Sequence, residues 1–155
     1  MISIAIVISI LYVSLIVAFI FGMNKSQVLK NENAVPKNRF SIVIPFRDEA
    51  HNLPELLKSI SIINYPSELF EILLVNDESV DNFNQIIKEF RKQNPLLNLR
   101  LLQNLRKSQS PKKDAINIAI NISNFEWIVT TDADCVVPKL WLQMFNQFIE
   151  DEKPI

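Results

Sequence analysis

The stretch FSIVIPFRDE, residues 40–49, runs from a mostly apolar segment into Pro45 and then into Arg47, Asp48 and Glu49. A short apolar run closed by proline reads as a buried strand, here residues 40–45, that ends where the charges begin. Two further stretches repeat the design: FEILLVNDES, residues 70–79, with a strand over 70–75, and EWIVTTDAD, residues 126–134, with a strand over 126–131. NLRLLQ, residues 98–103, is a fourth and weaker strand candidate. Between these runs the apolar residues change to helical spacing: Leu53, Leu56, Leu57 and Ile60, then Phe83, Ile86, Ile87 and Phe90, then Ile116, Ile118, Ala119 and Ile122. A last helix is expected after Pro138, burying Leu140, Trp141, Met144, Phe145 and Phe148. Alternating strands and helices imply an α/β domain with a mainly parallel sheet flanked by helices, whose ligands bind beyond the carboxyl ends of the strands.

The residues just past each strand are therefore the candidates for chemistry, and three of these strand ends carry acids. Asp48 or Asn52, and Asp81, are well placed to cap the helices that follow. Asp132 and Asp134 are too far ahead of a helix starting after Pro138 to be simple caps. Two carboxylates in alternate positions at a strand end can point the same way and hold a hard cation, and Mg²⁺ or Mn²⁺ takes one or two protein carboxylates with water and substrate phosphates completing its shell. Asp77 could accept a hydrogen bond from a nucleobase N–H or a ribose hydroxyl. The basic loop from Arg106 to Lys113 reads either as a solvated loop or as a phosphate-neutralising one. His51 reads as a surface residue, and Cys135 as a small apolar filler beside the site rather than a nucleophile.

Outward from the domain, residues 1–23 contain only Ser3, Ser9, Ser14 and Gly22 outside the hydrophobic set and no charged side chain. As a helix this run is about 35 Å long, enough to cross a hydrocarbon core of roughly 30 Å, so a single transmembrane helix is expected. A cleaved signal peptide would have basic residues first, a shorter apolar region and a small-residue cleavage site, none of which is present. Residues 24–39 read as a polar linker in which Lys25, Lys30, Lys37 and Arg39 outweigh Glu32. Basic residues after the span are retained on the cytoplasmic side, which places the rest of the chain in the cytosol, attached to the cell membrane by a single pass.

Composition closes other routes. One cysteine and one histidine exclude a disulfide framework, a thiolate zinc site and any cluster of imidazoles. Residues 40–155 are net acidic, against general nucleic-acid binding. With Gly22 the only glycine, neither a G-x-G-x-x-G turn nor a P-loop can exist.

Four stretches in this order, SIVIPFRDE (41–49), VNDESVD (75–81), KKDAIN (112–117) and TDAD (131–134), resemble the N-terminal, nucleotide-sugar-binding half of family 2 glycosyltransferases, which have the Rossmann-like GT-A fold. The resemblance covers residues 40 to about 148. It implies that Pro45, Arg47 and Glu49 shape a nucleotide pocket, that Asp77 contacts the base, that Lys112 lies near the nucleotide, and that Asp132 and Asp134 serve ribose and metal. It departs at Asn76, where the family usually has a second aspartate, and at Pro111, where a glycine usually precedes the lysine. The family's catalytic base normally lies well beyond the D-x-D, and Glu150, Asp151 and Glu152 follow too soon to replace it, so the base is expected beyond Ile155.

The sequence thus leads to a membrane-anchored, cytosol-facing glycosyltransferase, presented as anchor plus donor-binding half (residues 40–155). It would transfer a sugar, with inversion, from a UDP-sugar to a glycan or lipid-linked acceptor hydroxyl. A non-catalytic, membrane-anchored nucleotide-binding module is the rival. A phosphotransferase is disfavoured, because its nucleophilic aspartate would be expected after the first strand whereas the D-x-D follows the last.

Overall fold

The computed structural model describes residues 2–24 and 34–152. The chain divides into two units, Met1–Lys30 and Asn31–Ile155. The first contains helix α1, Ile2–Asn24, with no acid in its first turn and no base in its last. Every large apolar side chain described on it is exposed, from Ile16 at 41% to Phe21 at 71%. A helix that is apolar all round is one that water alone does not suit. Its described side chains cover residues 6–22, or about 26 Å at 1.5 Å per residue, and among the described residues no helix is long and apolar enough to cross a membrane. The expected transmembrane helix is therefore not found among the described residues.

The second unit is built on four parallel strands, β1 (Phe40–Phe46), β2 (Phe70–Asn76), β3 (Asn98–Gln103) and β4 (Trp127–Thr130), in the order β3-β2-β1-β4. Helices α2 (Leu53–Ser61), α3 (Phe83–Gln93), α4 (Pro111–Ile122) and α5 (Trp141–Glu152) connect or follow them. Alternate residues of β1 and β2 serve opposite faces. Phe40, Ile42, Ile44, Ile72 and Leu74 share one core with Leu53, Leu56, Leu57 and Ile60 of α2, Phe83, Ile87 and Phe90 of α3, and Leu142 of α5. Val43, Leu73 and Val75 share a smaller core with Ala115 and Ala119 of α4. The change of side follows from strand order: the chain steps outward from β1 to β3, then returns across the sheet to β4. That reversal is the topological switch point at which open α/β sheets bind ligands.

The same register opens the crevice. β1 pairs with β2 along its whole length but with β4 only from Phe40↔Trp127 to Val43↔Thr130. Pro45 and Phe46 thus run on beyond the reach of β4, where a proline costs the β1–β4 ladder nothing.

Two expectations about α5 and its surroundings are corrected. Its buried face is Leu142, Gln143, Asn146 and Gln147, while Met144, Phe145 and Phe148 are exposed at 48%, 38% and 48%. The reason is residues 34–39, the end of the expected linker, which lie against this helix as a strap. Asn146 Oδ1 accepts from the Lys37 and Asn38 N–H groups, the Asn38 amide and the Tyr65 hydroxyl, and its Nδ2 donates to the Val35 carbonyl. Gln143 donates to the Ala34 carbonyl, and Lys37 pairs with Glu150. A backbone strap needs amide partners, so the helix turns its amides inward. Burial pushes the Tyr65 hydroxyl up to about 12, which keeps it a donor to Asn38 and Asn146.

Candidate functional site

A cleft of about 290 Å³ opens beyond the carboxyl ends of β1 and β2, between them and the segment after β4. Pro45, Arg47 and Glu49 reach it from the end of β1, Asp77 from the end of β2, Lys112 from the first turn of α4, and Asp132 and Asp134 from the turn after β4. All seven residues singled out in the sequence line this one cleft.

The loops after β1 and β2 are fastened to each other. The Asp48 N–H donates to Ser79 Oγ, the Val80 N–H donates to Asp48 Oδ1, and the Ala50 N–H donates to Asp81 Oδ2. Asp48 and Glu78 both take the left-handed backbone conformation, at φ 55° and 60°, which aspartate adopts more readily than most residues other than glycine. This corrects the capping reading. Asp48 and Asp81 do not cap their own helices; each carboxylate satisfies an N–H of the other loop. Glu49 is tied locally, its Oε2 accepting from the Asn52 amide and its carbonyl from the Asn52 and Leu53 N–H groups, so it closes the turn into α2.

Asp77 is nearly buried, at 7% exposure. Arg106 Nε and Nη2 donate to its Oδ1 and Oδ2 at 2.9 and 2.8 Å, and the Asn104 amide donates to Oδ1 at 2.7 Å. The Arg106 guanidinium, followed by the Asn104 amide, holds the Asp77 carboxyl below its ordinary value against the opposing effect of burial. The second arm of Arg106 reaches Glu78 Oε2 at 2.9 Å. Arg106 is therefore committed to acids rather than free for phosphate. Asn104 was not among the expected site residues, and Arg106 was read only as part of a loop that is either solvated or phosphate-neutralising, although both lie just past β3, where the strand-end rule points.

Asp114, buried in the first turn of α4, shapes the rest of the basic loop. It accepts from the Lys107 and Ser108 N–H groups and the Ser108 hydroxyl, and these bonds, the Ser108 N–H foremost, hold it below its ordinary value. Lys112 leaves this loop for the cleft, where its Nζ lies 2.6 Å from Asp132 Oδ1 with both side chains more than half exposed.

Asp132 and Asp134 lie in a turn past β4, closed by the Cys135 N–H donating to the Asp132 carbonyl, and flank the buried Ala133. Among the described residues no group of three or more histidines, cysteines or acids could hold a metal ion. Two exposed carboxylates on one wall suit a hard cation that completes its shell with phosphate and water, not one caged by protein alone. Cys135 is exposed rather than a buried filler, its Sγ 3.6 Å from Asp134 Oδ1, because Ala133 and Val137 take the inward positions around it. His51 is exposed, as expected.

Residues 41–155 match the family described as Glycosyl transferase family 2. The poly(ribitol-phosphate) β-N-acetylglucosaminyltransferase TarS of Staphylococcus aureus is 29% identical over 73% of this chain and 19% of its own length. The poly-β-1,6-N-acetyl-D-glucosamine synthase of Staphylococcus epidermidis is 28% identical over 74% of this chain and 26% of its own. Among solved structures, S. aureus TarS 1–349 in complex with UDP-GlcNAc matches with a TM-score of 0.65 at 29% identity, covering 74% of this chain and 32% of that one. The mannosyltransferase PcManGT of Pyrobaculum calidifontis, in complex with GDP-Man and Mn²⁺, matches with a TM-score of 0.65 at 25% identity, covering 77% and 36%. The chain thus spans a fifth to about a third of the length of these proteins.

Proposed function

The chain belongs to glycosyl transferase family 2, and from that premise we propose that it binds a nucleotide-sugar donor, a UDP-sugar, and presents it for inverting transfer to an acceptor hydroxyl on a glycan or lipid-linked glycan. The observation that carries this reading is the convergence of Pro45, Arg47, Glu49, Asp77, Lys112, Asp132 and Asp134 on one cleft at the switch point of the sheet. The donors held by the two structural neighbours, UDP-GlcNAc and GDP-Man with Mn²⁺, support the ligand class.

In this reading Asp77 accepts from the base and Pro45, Arg47 and Glu49 form the wall beside it. Lys112 leaves Asp132 for the diphosphate, and Asp132 and Asp134 hold Mg²⁺ or Mn²⁺. When bound, such a cation supplies Lewis-acid stabilisation of the charge that builds on the departing nucleotide diphosphate. Deprotonation of the acceptor needs a general base. Glu150 and Asp151 do not serve, since on α5 Glu150 holds the strap through Lys37 and Asn38 and Asp151 accepts from Gln147. We further propose that α1 anchors the domain on the cytosolic face of the cell membrane, its apolar and uncharged surface supporting this.

The test is calorimetric titration of UDP with and without Mg²⁺ or Mn²⁺. Asp134→Asn is expected to remove the metal-dependent part of binding, and Asp77→Ala to weaken binding about tenfold or more with or without metal. Wild-type behaviour in both variants would overturn the site assignment.

A further inference from the structure

We propose that Ser59 of α2 is a positioning residue for the turn that carries Asp132 and Asp134, its buried hydroxyl fixing the segment after the turn and so the placing of the two carboxylates toward a divalent cation. The proposal rests on the reading of Asp132 and Asp134 as ligands of that cation and adds to it what holds them in place.

Residues 131–140 belong to no helix or strand, so neither a ladder nor a helical turn holds the carboxylates. The chain leaves the sheet at Thr131, whose N–H donates to the Val43 carbonyl of β1 at 3.2 Å. The bond from the Cys135 N–H to the Asp132 carbonyl, at 3.3 Å, closes the turn but ties it to nothing outside. The outside ties come further on, from α2 and its exit. The Val137 N–H donates to Ser59 Oγ at 3.1 Å, and the Lys139 carbonyl accepts from the Asn64 N–H at 2.8 Å. Both carboxylates thus lie between one fixed point on β1, reached at Thr131, and another on α2, reached at Val137.

Ser59 is 5% exposed, on a face of α2 otherwise made by Leu53, Leu56, Leu57 and Ile60. A hydroxyl buried among leucines costs free energy unless it is hydrogen-bonded. Its own hydrogen goes to the Leu56 carbonyl at 2.7 Å, which leaves its lone pairs for the Val137 N–H. The helix by itself does not call for this burial. Ser61, two residues on, makes the same bond back to the Lys58 carbonyl at 2.8 Å while exposed. What sets Ser59 apart is that it accepts a bond from a segment 78 residues away.

Removal of that hydroxyl leaves the Val137 N–H buried without a partner. Such a group is costly, so the segment shifts to bring it to water, and the turn just ahead shifts with it. The next outside tie is then the one at Lys139, and the loop that carries Asp132 and Asp134 is longer and less ordered. A cation that takes only two protein carboxylates depends on their being held ready, since groups behind the ligands set ligand geometry.

The experiment titrates UDP, with and without Mn²⁺, into the full 155-residue chain in detergent micelles, alongside melting curves and deuterium uptake of residues 131–140 in the metal-free chain. Mn²⁺ is expected to strengthen UDP binding by the wild type. Ser59→Ala is expected to lose about tenfold in UDP affinity with Mn²⁺ present and nothing without it, and to exchange faster at residues 131–140. Ser59→Cys fills the same space with a weaker acceptor and is expected to fall between them. It carries the test alone if the alanine variant melts too low to titrate. Phe90→Leu is the control for lost stability, because Phe90 is buried in the larger core at the last turn of α3, which runs back from the strand ends that form the cleft. It should melt lower yet keep both the gain from Mn²⁺ and the slow exchange of residues 131–140. A gain from Mn²⁺ that is unchanged in a folded Ser59 variant, or lost equally in Phe90→Leu, overturns the proposal while leaving the donor site standing. UDP binding that Mn²⁺ does not strengthen in the wild type overturns the assignment of Asp132 and Asp134 to a cation, and this inference with it.

Discussion

Glu71 and Asp77 stand at opposite ends of β2, and both are buried acids kept ionised by what surrounds them. Glu71 is wholly buried; its Oε1 accepts from the Ser41 hydroxyl and the Asn124 N–H, its Oε2 from the Asn124 amide, and Arg100 lies 3.5 Å away. Burial alone would raise its pKa, but the Asn124 N–H, the Ser41 hydroxyl, the Asn124 amide and Arg100 together outweigh burial and hold it below 4.5. Because the folded-state value lies below the unfolded one, the stability Glu71 contributes is complete above about pH 4.5 and is lost as pH falls through the folded-state value. Asp77 and Asp114 are depressed in the same direction and add to the same acid slope. Glu71→Gln keeps the shape but places an amide donor among donors. It is expected to cost about 1–3 kcal/mol in urea unfolding at pH 7 and to flatten, without abolishing, the loss of stability below pH 4.5. An unchanged acid slope in the variant would show that Glu71 is not the charged lock described. Asp77 shows the same chemistry at the cleft, where it holds a fixed charge in the wall of the proposed donor site.

Elements were legible where one face is uniformly apolar. The four strands fall within a residue or two of the apolar runs that announced them, α2 buries all four residues its periodicity picked out, and α3 buries Phe83, Ile87 and Phe90 with Ile86 half-buried beside them. α5 broke the rule because the strap of residues 34–39 takes its hydrogen bonds from Gln143 and Asn146, and no pattern within α5 announces a partner more than a hundred residues away. The clasp of Asp48 and Asp81 escaped for the same reason, since a cap and a cross-loop bond use the same residue types at the same places. α1 shows the opposite case: its meaning is all in composition, and it has no buried face to compare. Its exposed apolar side chains, followed in sequence by Lys25, Lys30, Lys37 and Arg39, lead to a definite expectation. The protein should stay in the membrane fraction through alkaline carbonate, and protease added to intact spheroplasts should leave residues 34–152 uncut. Release by carbonate would remove the anchor, and digestion would reverse its orientation.

At the scale of the whole molecule, strand order explains both the site and the weakness of the fold. Placing β4 beside β1 creates the cleft; the apolar run ending in Asp132-Ala133-Asp134 announced the strand but not its neighbour, and the pairing of Arg106 with Asp77, which depends on β2 and β3 being neighbours, was likewise not readable. Among the described residues the same order leaves β4 at an edge, paired to β1 alone. Beside it lies an apolar hollow of about 370 Å³ between β4 and α5, lined by Phe40, Trp127, Ile128, Phe145, Phe148 and Ile149 among others. Parallel strands are normally covered on both faces, and an open apolar edge is a template for association. In detergent micelles, which would cover the proposed anchor, self-association is expected to arise at this edge. Met144→Lys with Phe148→Glu places charge on two side chains that are about half exposed, while Phe145, which packs on Phe40 and Trp141, is left in place. The double variant should shift the chain from large assemblies toward monomer in size-exclusion chromatography in detergent, with UDP binding retained because neither position lines the donor cleft. Assemblies of unchanged size would mean that the edge of β4, and not the phenylalanine-lined hollow, drives the association; a change such as Thr130→Lys would then be the one that disperses them.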